Sequence, residues 1–324
     1  MNKKFYFRID DISTYRSELM GWAILWIMML HFTFTQIKPL GFIAQFGFAG
    51  VEIFMMVSGF GLYYSLNKNG KLHPFYKKRL LRIFPTYYFL GLFASLLLYN
   101  DNLLQYLFRY STIGFWSGGI YSGWYIPSIV FMYLLSPYIK KLYDMQLFFL
   151  IAFICIVILV ISYILVSNEL ITKGEPHFFL LYRIPAFFFG MLCAYWSKKS
   201  ISTKYYLYFL SCGIPFFIIL FPQHHQIYNY KYFSFLFLLP LIVLFFITVS
   251  KNLKWMNPII IEIGKASLEI YLIQGMFFHA ILTGRISVSN EWHDFITILL
   301  IIISSVLGIS AHWLINKLVI NRLC

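Results

Sequence analysis

Charge is what this sequence has least of. Only 12% of its 324 residues are Asp, Glu, Lys or Arg, about half the share of a soluble domain. No polar stretch is long enough to build a core of its own, which excludes a separate water-soluble domain. Cysteine is scarce as well. Cys155, Cys193 and Cys212 sit in apolar runs and Cys324 is the last residue, a pattern that offers neither a disulfide framework nor a metal cluster. His224 and His225 are adjacent in a loop, and His279, His293 and His312 are scattered without metal-ligand spacing to carboxylates; no metal cofactor is expected. No small-residue cleavage site follows the first apolar run, so a removable signal peptide is not expected. Strand-like alternation is missing, which argues against an outer-membrane barrel. No inverted internal repeat of the transporter kind is visible.

What the sequence has in abundance is apolar and aromatic surface. Hydrophobic residues make up 60% and aromatic residues 21% of the chain, and the mean hydropathy is +0.73. A membrane-spanning helix needs about 20 mostly apolar residues. Ten runs qualify: 17–37, 43–66, 80–99, 121–139, 145–167, 177–196, 205–222, 232–250, 266–283 and 294–316. The stretch 101–120, broken by polar residues and glycines, reads as an interfacial segment, its Tyr and Trp suited to the headgroup level. With the N-terminus inside, 20 of the 26 basic residues fall in inner segments; Lys38, Arg109, Lys173, Lys231 and Arg285 fall outside, and Arg183 lies within a run. Lys and Arg favour the cytoplasmic side. The expectation is an all-α polytopic membrane protein, one domain over residues 1–324, with ten spans and both termini cytoplasmic. The formal charge of +14 follows from that topology, and no nucleic-acid partner is inferred from it.

A few side chains are out of place in such runs. The first, RSELMGWAILWIMMLHFTF, carries His31 deep in apolar sequence, where an ionisable group asks for a partner or a task. Arg16, fifteen residues earlier, falls roughly 60° away around a helix, on a shared face. In the second run Gly47, Gly50, Ser58, Gly61 and Ser65 form a small-residue stripe for close helix approach. Glu52 lies elsewhere on that helix; it either pairs with a basic neighbour or orients and charges a histidine. Lys77, Lys78, Arg79 and Arg82 crowd the start of the third run. The lysines read as topology anchors; Arg79 and Arg82 share a face, and the deeper Arg82 offers a fork for a phosphate-bearing ligand. Trp124 and Tyr125 open the fourth run. Arg183 sits inside the sixth at a depth like that of His31. Glu269 and Gln274 are polar residues in the ninth.

The order of these pieces resembles the acyltransferase-3 family of integral membrane acyltransferases. RSELMGWAILWIMMLH, GVEIFMMVSGF, FYKKRLLRIFP, WYIPSIVFMYLLSP, YRIPAFFFG and GKASLEIYLI carry the resemblance, over roughly residues 15 to 275. It implies transfer of an acyl group, most often acetyl, from cytoplasmic acyl-coenzyme A to a hydroxyl, commonly on a cell-surface polysaccharide, lipopolysaccharide or peptidoglycan. It ties His31 to acyl transfer and Arg79 and Arg82 to the family's RxxR pattern. Met20 stands where the family usually has Arg or Lys, with Arg16 one turn earlier; Glu52 stands for its Asp; Gln274 stands where a histidine is often found.

The reading that follows makes His31 the general base for the acceptor hydroxyl, or the group that briefly carries the acyl. Arg79 and Arg82, with Arg16, hold the coenzyme A phosphates. Glu52 fixes the His31 tautomer or raises its basicity. Arg183 stabilises the oxyanion or contacts the acceptor, and Trp124 and Tyr125 sit at the acceptor side. The partners are a surface glycan or its lipid-linked precursor and the lipid itself, in a bacterial cytoplasmic membrane. A transporter or flippase for a glycan or lipid-linked substrate, without bond-making, is the competing class.

Overall fold

The computed structural model describes residues 7–69, 71–119, 122–167, 176–220, 230–286 and 290–320. His224, His225, Lys173 and Cys324 lie outside the described residues. In chain order the helices are α1 (Asp11–Thr14), α2 (Arg16–Phe32), α3 (Lys38–Ala44), α4 (Ala49–Asn69), α5 (Leu72–Ala94), α6 (Leu103–Tyr110), α7 (Ile113–Trp116) and α8 (Tyr125–Asp144). They continue with α9 (Phe148–Ser167), α10 (Pro176–Leu181), α11 (Ile184–Lys198), α12 (Lys204–Leu220), α13 (Tyr230–Asn252), α14 (Asn257–Lys265), α15 (Ser267–Leu282) and α16 (His293–Ile315). No strand occurs among the described residues. Each of the ten apolar runs contains helix among the described residues, and five helical segments there are long and apolar enough to cross a membrane: Ala49–Lys68, Leu72–Tyr99, Phe148–Leu165, Phe179–Lys198 and His293–Leu318. Helix α9 gives the physical reason for a lipid setting. It is apolar all round, yet Phe149 is 93% and Phe153 62% exposed; such a surface has a stable place only in hydrocarbon.

The chain sorts into two compact units, one of residues 1–19, 51–71 and 131–257, the other of residues 20–50, 72–130 and 258–324. In the first, α11 is the central helix, buried without interruption from Ile184 to Met191. It meets α4 through paired glycines. A Cβ on Gly59 would fall 2.1 Å from the Phe187 carbonyl, and one on Gly190 2.0 Å from the Met56 carbonyl. Backbones this close are the small-residue packing of membrane helices.

In the second unit the expected stripe does the same for α2: a Cβ on Gly47 would meet the Trp26 carbonyl at 2.1 Å, and one on Gly50 the Ala23 carbonyl at 2.6 Å. Helix α15 packs along α16 and α5. The expected interfacial segment is built from α6 and α7. Leu103 and Leu104 of α6 are 74% and 77% exposed while Tyr110 is buried, an amphipathic arrangement suited to lying at a membrane surface. Just before it, α5 passes into a π-helical turn, Ser95–Tyr99, ended by Asn100 at φ 51°. The orphan carbonyls of Leu97 and Leu98 accept from the Arg285 guanidinium, as helix ends require.

Candidate functional site

His31 stands in the last turn of α2, and α16 fixes where that helix stops. The sequence run continues to residue 37, but the helix ends at Phe32 and Thr33 takes φ 57°. The hydroxyl of Thr297 donates to the carbonyls of Phe32 (3.0 Å) and Thr33 (2.9 Å). The Asp294 carboxylate accepts the backbone N–H groups of Thr35, Gln36 and Ile37 at 2.8, 3.1 and 2.6 Å. Three N–H groups that would otherwise need helical partners are thus taken by one side chain. Neither Asp294 nor Thr297 stood out in the sequence, where nothing local ties them to a helix some 260 residues earlier.

Gln274 of α15 supplies the hydrogen-bond partner of His31. Its Oε1 lies 2.8 Å from His31 Nδ1, and the ring stacks on Phe278 with centroids 4.8 Å apart. With the amide oxygen facing it, Nδ1 carries the proton and donates, and the Nε2 lone pair is left for chemistry. The tautomer-fixing contact expected from Glu52 therefore comes from an amide. Gln274 is 1% exposed, so its side chain is held by packing as well as by this bond.

One turn earlier on α15, Tyr271 packs on Tyr125, ring centroids 5.4 Å apart. Tyr125 is the first residue of α8, and the Trp124 carbonyl just before it accepts from Ser128 Oγ at 2.6 Å. A single face of α15 thus carries contacts to both His31 and the Trp124–Tyr125 pair.

The other end of α15 is ionic. Glu269 is fully buried, and its Oε1 lies 3.2 Å from His312 Nδ1 and 3.9 Å from Arg82 Nη1. Asn316 Nδ2 donates to His312 Nε2 at 2.8 Å. Arg82 Nη1 lies 3.5 Å from His312 Nδ1, so the carboxylate, imidazole and guanidinium form one cluster. Arg82 donates to the Lys265 carbonyl at 2.8 Å, with 38% of its side chain exposed. It is tethered but accessible. Arg79, three residues back, lies over the Phe75 ring at 5.8 Å. Lys77 and Lys78 are exposed, as anchors would be. Glu269 and His312 were visible in the sequence as polar residues, but their meeting was not.

Glu52 and Arg183 form a pair in the first unit. Arg183 stands at the break between α10 and α11, where Pro185 provides no N–H for a continuous helix. Its Nε lies 3.5 Å from Glu52 Oε1, and the two side chains are 2% and 1% exposed. Arg183 also donates to the Phe179 carbonyl at 3.0 Å and to the Tyr182 hydroxyl. The ion-pair alternative for Glu52 is the one the structure contains. Arg16 opens α2 and lies against Gly61, its guanidinium carbon 3.6 Å from where a Cβ there would sit. Among the described residues no group of three His, Cys, Asp or Glu side chains is arranged to hold a metal ion.

A family model described as an acyltransferase domain matches residues 19–315. The chain belongs to that family, acyltransferase-3, and is a membrane acyltransferase by that membership. A protein of Acidianus two-tailed virus that carries the provisional name acetyltransferase is 26% identical over 282 residues, covering 79% of this chain and 80% of that one. No solved structure matches the chain.

Proposed function

We propose that the protein transfers a short acyl group, in the first instance acetyl, from acyl-coenzyme A at the cytoplasmic face to a hydroxyl of a cell-surface glycan or its lipid-linked precursor. The observation that carries this reading is the His31–Gln274 hydrogen bond. It presents a half-buried imidazole with one nitrogen committed and the other available. His31 Nε2 takes the proton from the acceptor hydroxyl as the oxygen attacks the thioester carbonyl. The C–O bond forms, the C–S bond breaks, and the proton passes from His31 to the departing thiolate. Arg82 and Arg79 bind the donor phosphates. Trp124 and Tyr125 contact the acceptor.

Glu52 and Arg183 enter as a mutually neutralising pair whose loss tests the fold before the chemistry. Removing one partner of such a buried pair costs about 3–5 kcal/mol. Thermal unfolding should therefore drop for Glu52→Gln and recover in part when Arg183→Met is added. The wider setting, ten spans in a cytoplasmic membrane with both termini inside, rests on the distribution of Lys and Arg.

The test uses nanodisc-embedded wild type and His31→Ala, each given radiolabelled acetyl-coenzyme A and a crude surface-glycan extract. Labelled glycan with stoichiometric thiol release from wild type, and neither from a folded His31→Ala, is the expected result. Label retained on the wild-type protein before acceptor is added would assign His31 to carrying the acyl group. No thiol release from wild type under any donor would sink acyl transfer and bring glycan transport forward.

A further inference from the structure

Two buried carboxylates of this chain stand beside an arginine, and they differ in what that arginine can reach. Glu52 meets Arg183, and both side chains are closed off, 1% and 2% exposed. Glu269 of α15 is 0% exposed, but 38% of its partner's side chain, Arg82, is exposed. The second pair sets a buried negative charge directly behind an accessible positive one. Folding alone does not call for it, since well-packed apolar residues in place of such a pair are often as stable. The acyl-transfer steps above use the Glu269 carboxylate nowhere.

The carboxylate is tied down by other groups than the guanidinium. Glu269 Oε1 accepts from Thr86 Oγ1 of α5 at 3.3 Å and lies 3.2 Å from His312 Nδ1, while Asn316 steadies the far nitrogen of that imidazole at 2.8 Å. Arg82 is held through Nη2, which donates to the Lys265 carbonyl at 2.8 Å. Its Nη1 is 3.9 Å from Glu269 Oε1, beyond the reach of a hydrogen bond. Nε has no partner among the described residues. The contact between Glu269 and Arg82 is therefore one of charge rather than direction. Charge acts through the guanidinium on whatever anion lies at its open edge. Lys265 does not offset it, being paired with Glu262 at 2.7 Å.

We propose that Glu269 is the resident counter-ion of the donor site. It balances Arg82 when the site is empty. It also opposes the donor's phosphate groups across the same guanidinium, so that neither donor nor spent coenzyme A binds too tightly to leave. The proposal rests on the acyl-transfer reading above, in which Arg82 meets those phosphates. It carries a sign that a merely structural carboxylate would not give: loss of a supporting contact weakens binding, whereas loss of an opposing charge strengthens it.

The test compares wild type with two neutral variants, Glu269→Gln and Glu269→Met, and one that keeps the charge, Glu269→Asp, all in nanodiscs. Equilibrium binding of coenzyme A is measured. So is the KM of acetyl-coenzyme A and of acetyl-pantetheine, which has no phosphate, from thiol release with the glycan extract. Glu269→Gln should bind coenzyme A about tenfold more tightly, the scale of a partly screened charge interaction. Its KM for acetyl-coenzyme A should fall and its inhibition by coenzyme A should grow, with kcat no higher. Glu269→Met should move the same way, and Glu269→Asp should stay near wild type. The KM for acetyl-pantetheine should be alike in all four. Thermal unfolding identifies the variants that are folded. Unchanged or weaker coenzyme A binding in a folded neutral variant would overturn this inference alone and leave Glu269 as a support for Arg82. An equal shift for acetyl-pantetheine would overturn it too, because the effect would then not pass through phosphate. A wild type that neither binds coenzyme A nor releases thiol would overturn the acyl-transfer reading and this inference with it.

Discussion

The middle of α15, at Gln274, and its first turn, at Glu269, handle polarity in opposite ways. At Gln274 an imidazole meets a neutral amide at 2.8 Å, with an aromatic ring stacked on its face. At Glu269, five residues and about 7.5 Å of helix rise away, a fully buried carboxylate meets an imidazole and a guanidinium. A charge in a low-dielectric interior must be balanced where it stands, so the Glu269 end needs Arg82 and His312 together. The Gln274 end has no charge to balance and needs only direction. That difference divides the work proposed for the site. A proton is moved where the resting groups are neutral, and an anionic donor is held where an arginine is tethered yet 38% exposed.

Removing His31 should break the comparison most completely. His31→Ala and His31→Gln are both expected to lose about 10²- to 10⁴-fold in kcat, the usual contribution of a positioned acid–base group, with donor binding preserved. Stopped-flow thiol release alongside equilibrium binding of coenzyme A checks this. A comparable loss of coenzyme A binding would mean that the two ends are not functionally separate.

Gln274 comes next. Gln274→Leu leaves the His31 Nδ1 proton without its partner, a penalty of about 1–3 kcal/mol, so kcat should fall roughly 10- to 100-fold. The effect should be smaller than for His31 itself because Phe278 still orients the ring. Gln274→Glu keeps an acceptor oxygen and should retain more activity than Gln274→Leu. The reverse order would remove tautomer control from the account.

How much of this was legible beforehand depends on how local the cause is. The helical runs were readable because hydropathy accumulates along contiguous residues, and the separate character of 101–120 because polar residues and glycines break its apolar run. His31 and Arg82 were readable because a charge or imidazole in apolar sequence is conspicuous. Gln274 was noted as a polar residue in an apolar run and as a departure from a family pattern, but its place as partner depends on a helix 243 residues away in the chain. The stop of α2 at Phe32 was missed because apolar sequence continues beyond it, and the signal that ends it lies in Asp294 and Thr297. The break at Arg183 had a local sign, Pro185, but a hydropathy sum passes over a single proline.

At the ionic end, Arg82→Ala should raise the donor KM about tenfold, the lower range for a charge-assisted hydrogen bond to phosphate, with kcat nearly unchanged. The increase should shrink as salt is raised, because a partly exposed charge is screened. Glu269→Gln tests the same end from the buried side. A kcat effect without a KM effect in Arg82→Ala would contradict the division of labour.

The smallest effect concerns a clasp that supports the neutral end from outside the spans. Arg109 grips Asp101 with two bonds, Nε to Oδ2 at 2.7 Å and Nη2 to Oδ1 at 2.9 Å, and lies over the Tyr99 ring at 4.0 Å; Tyr99 in turn abuts His279 of α15. The hydrogen bonds from Arg109 hold the Asp101 carboxyl below the usual carboxylate range. A depressed carboxylate contributes stability at any pH above its unfolded value, about 3.9, and loses it as pH falls through the folded value. The clasp should therefore be fully present from pH 7 to pH 5 and fail only in stronger acid. Asp101→Asn should lower stability at pH 7 by about 1 kcal/mol, the upper range for a partly exposed pair in good geometry, and should flatten the acid side of the profile. Thermal unfolding of the two proteins from pH 7 to pH 3 measures both. A stability loss in wild type that begins near pH 6 would assign the titration to another group and detach the clasp from α15.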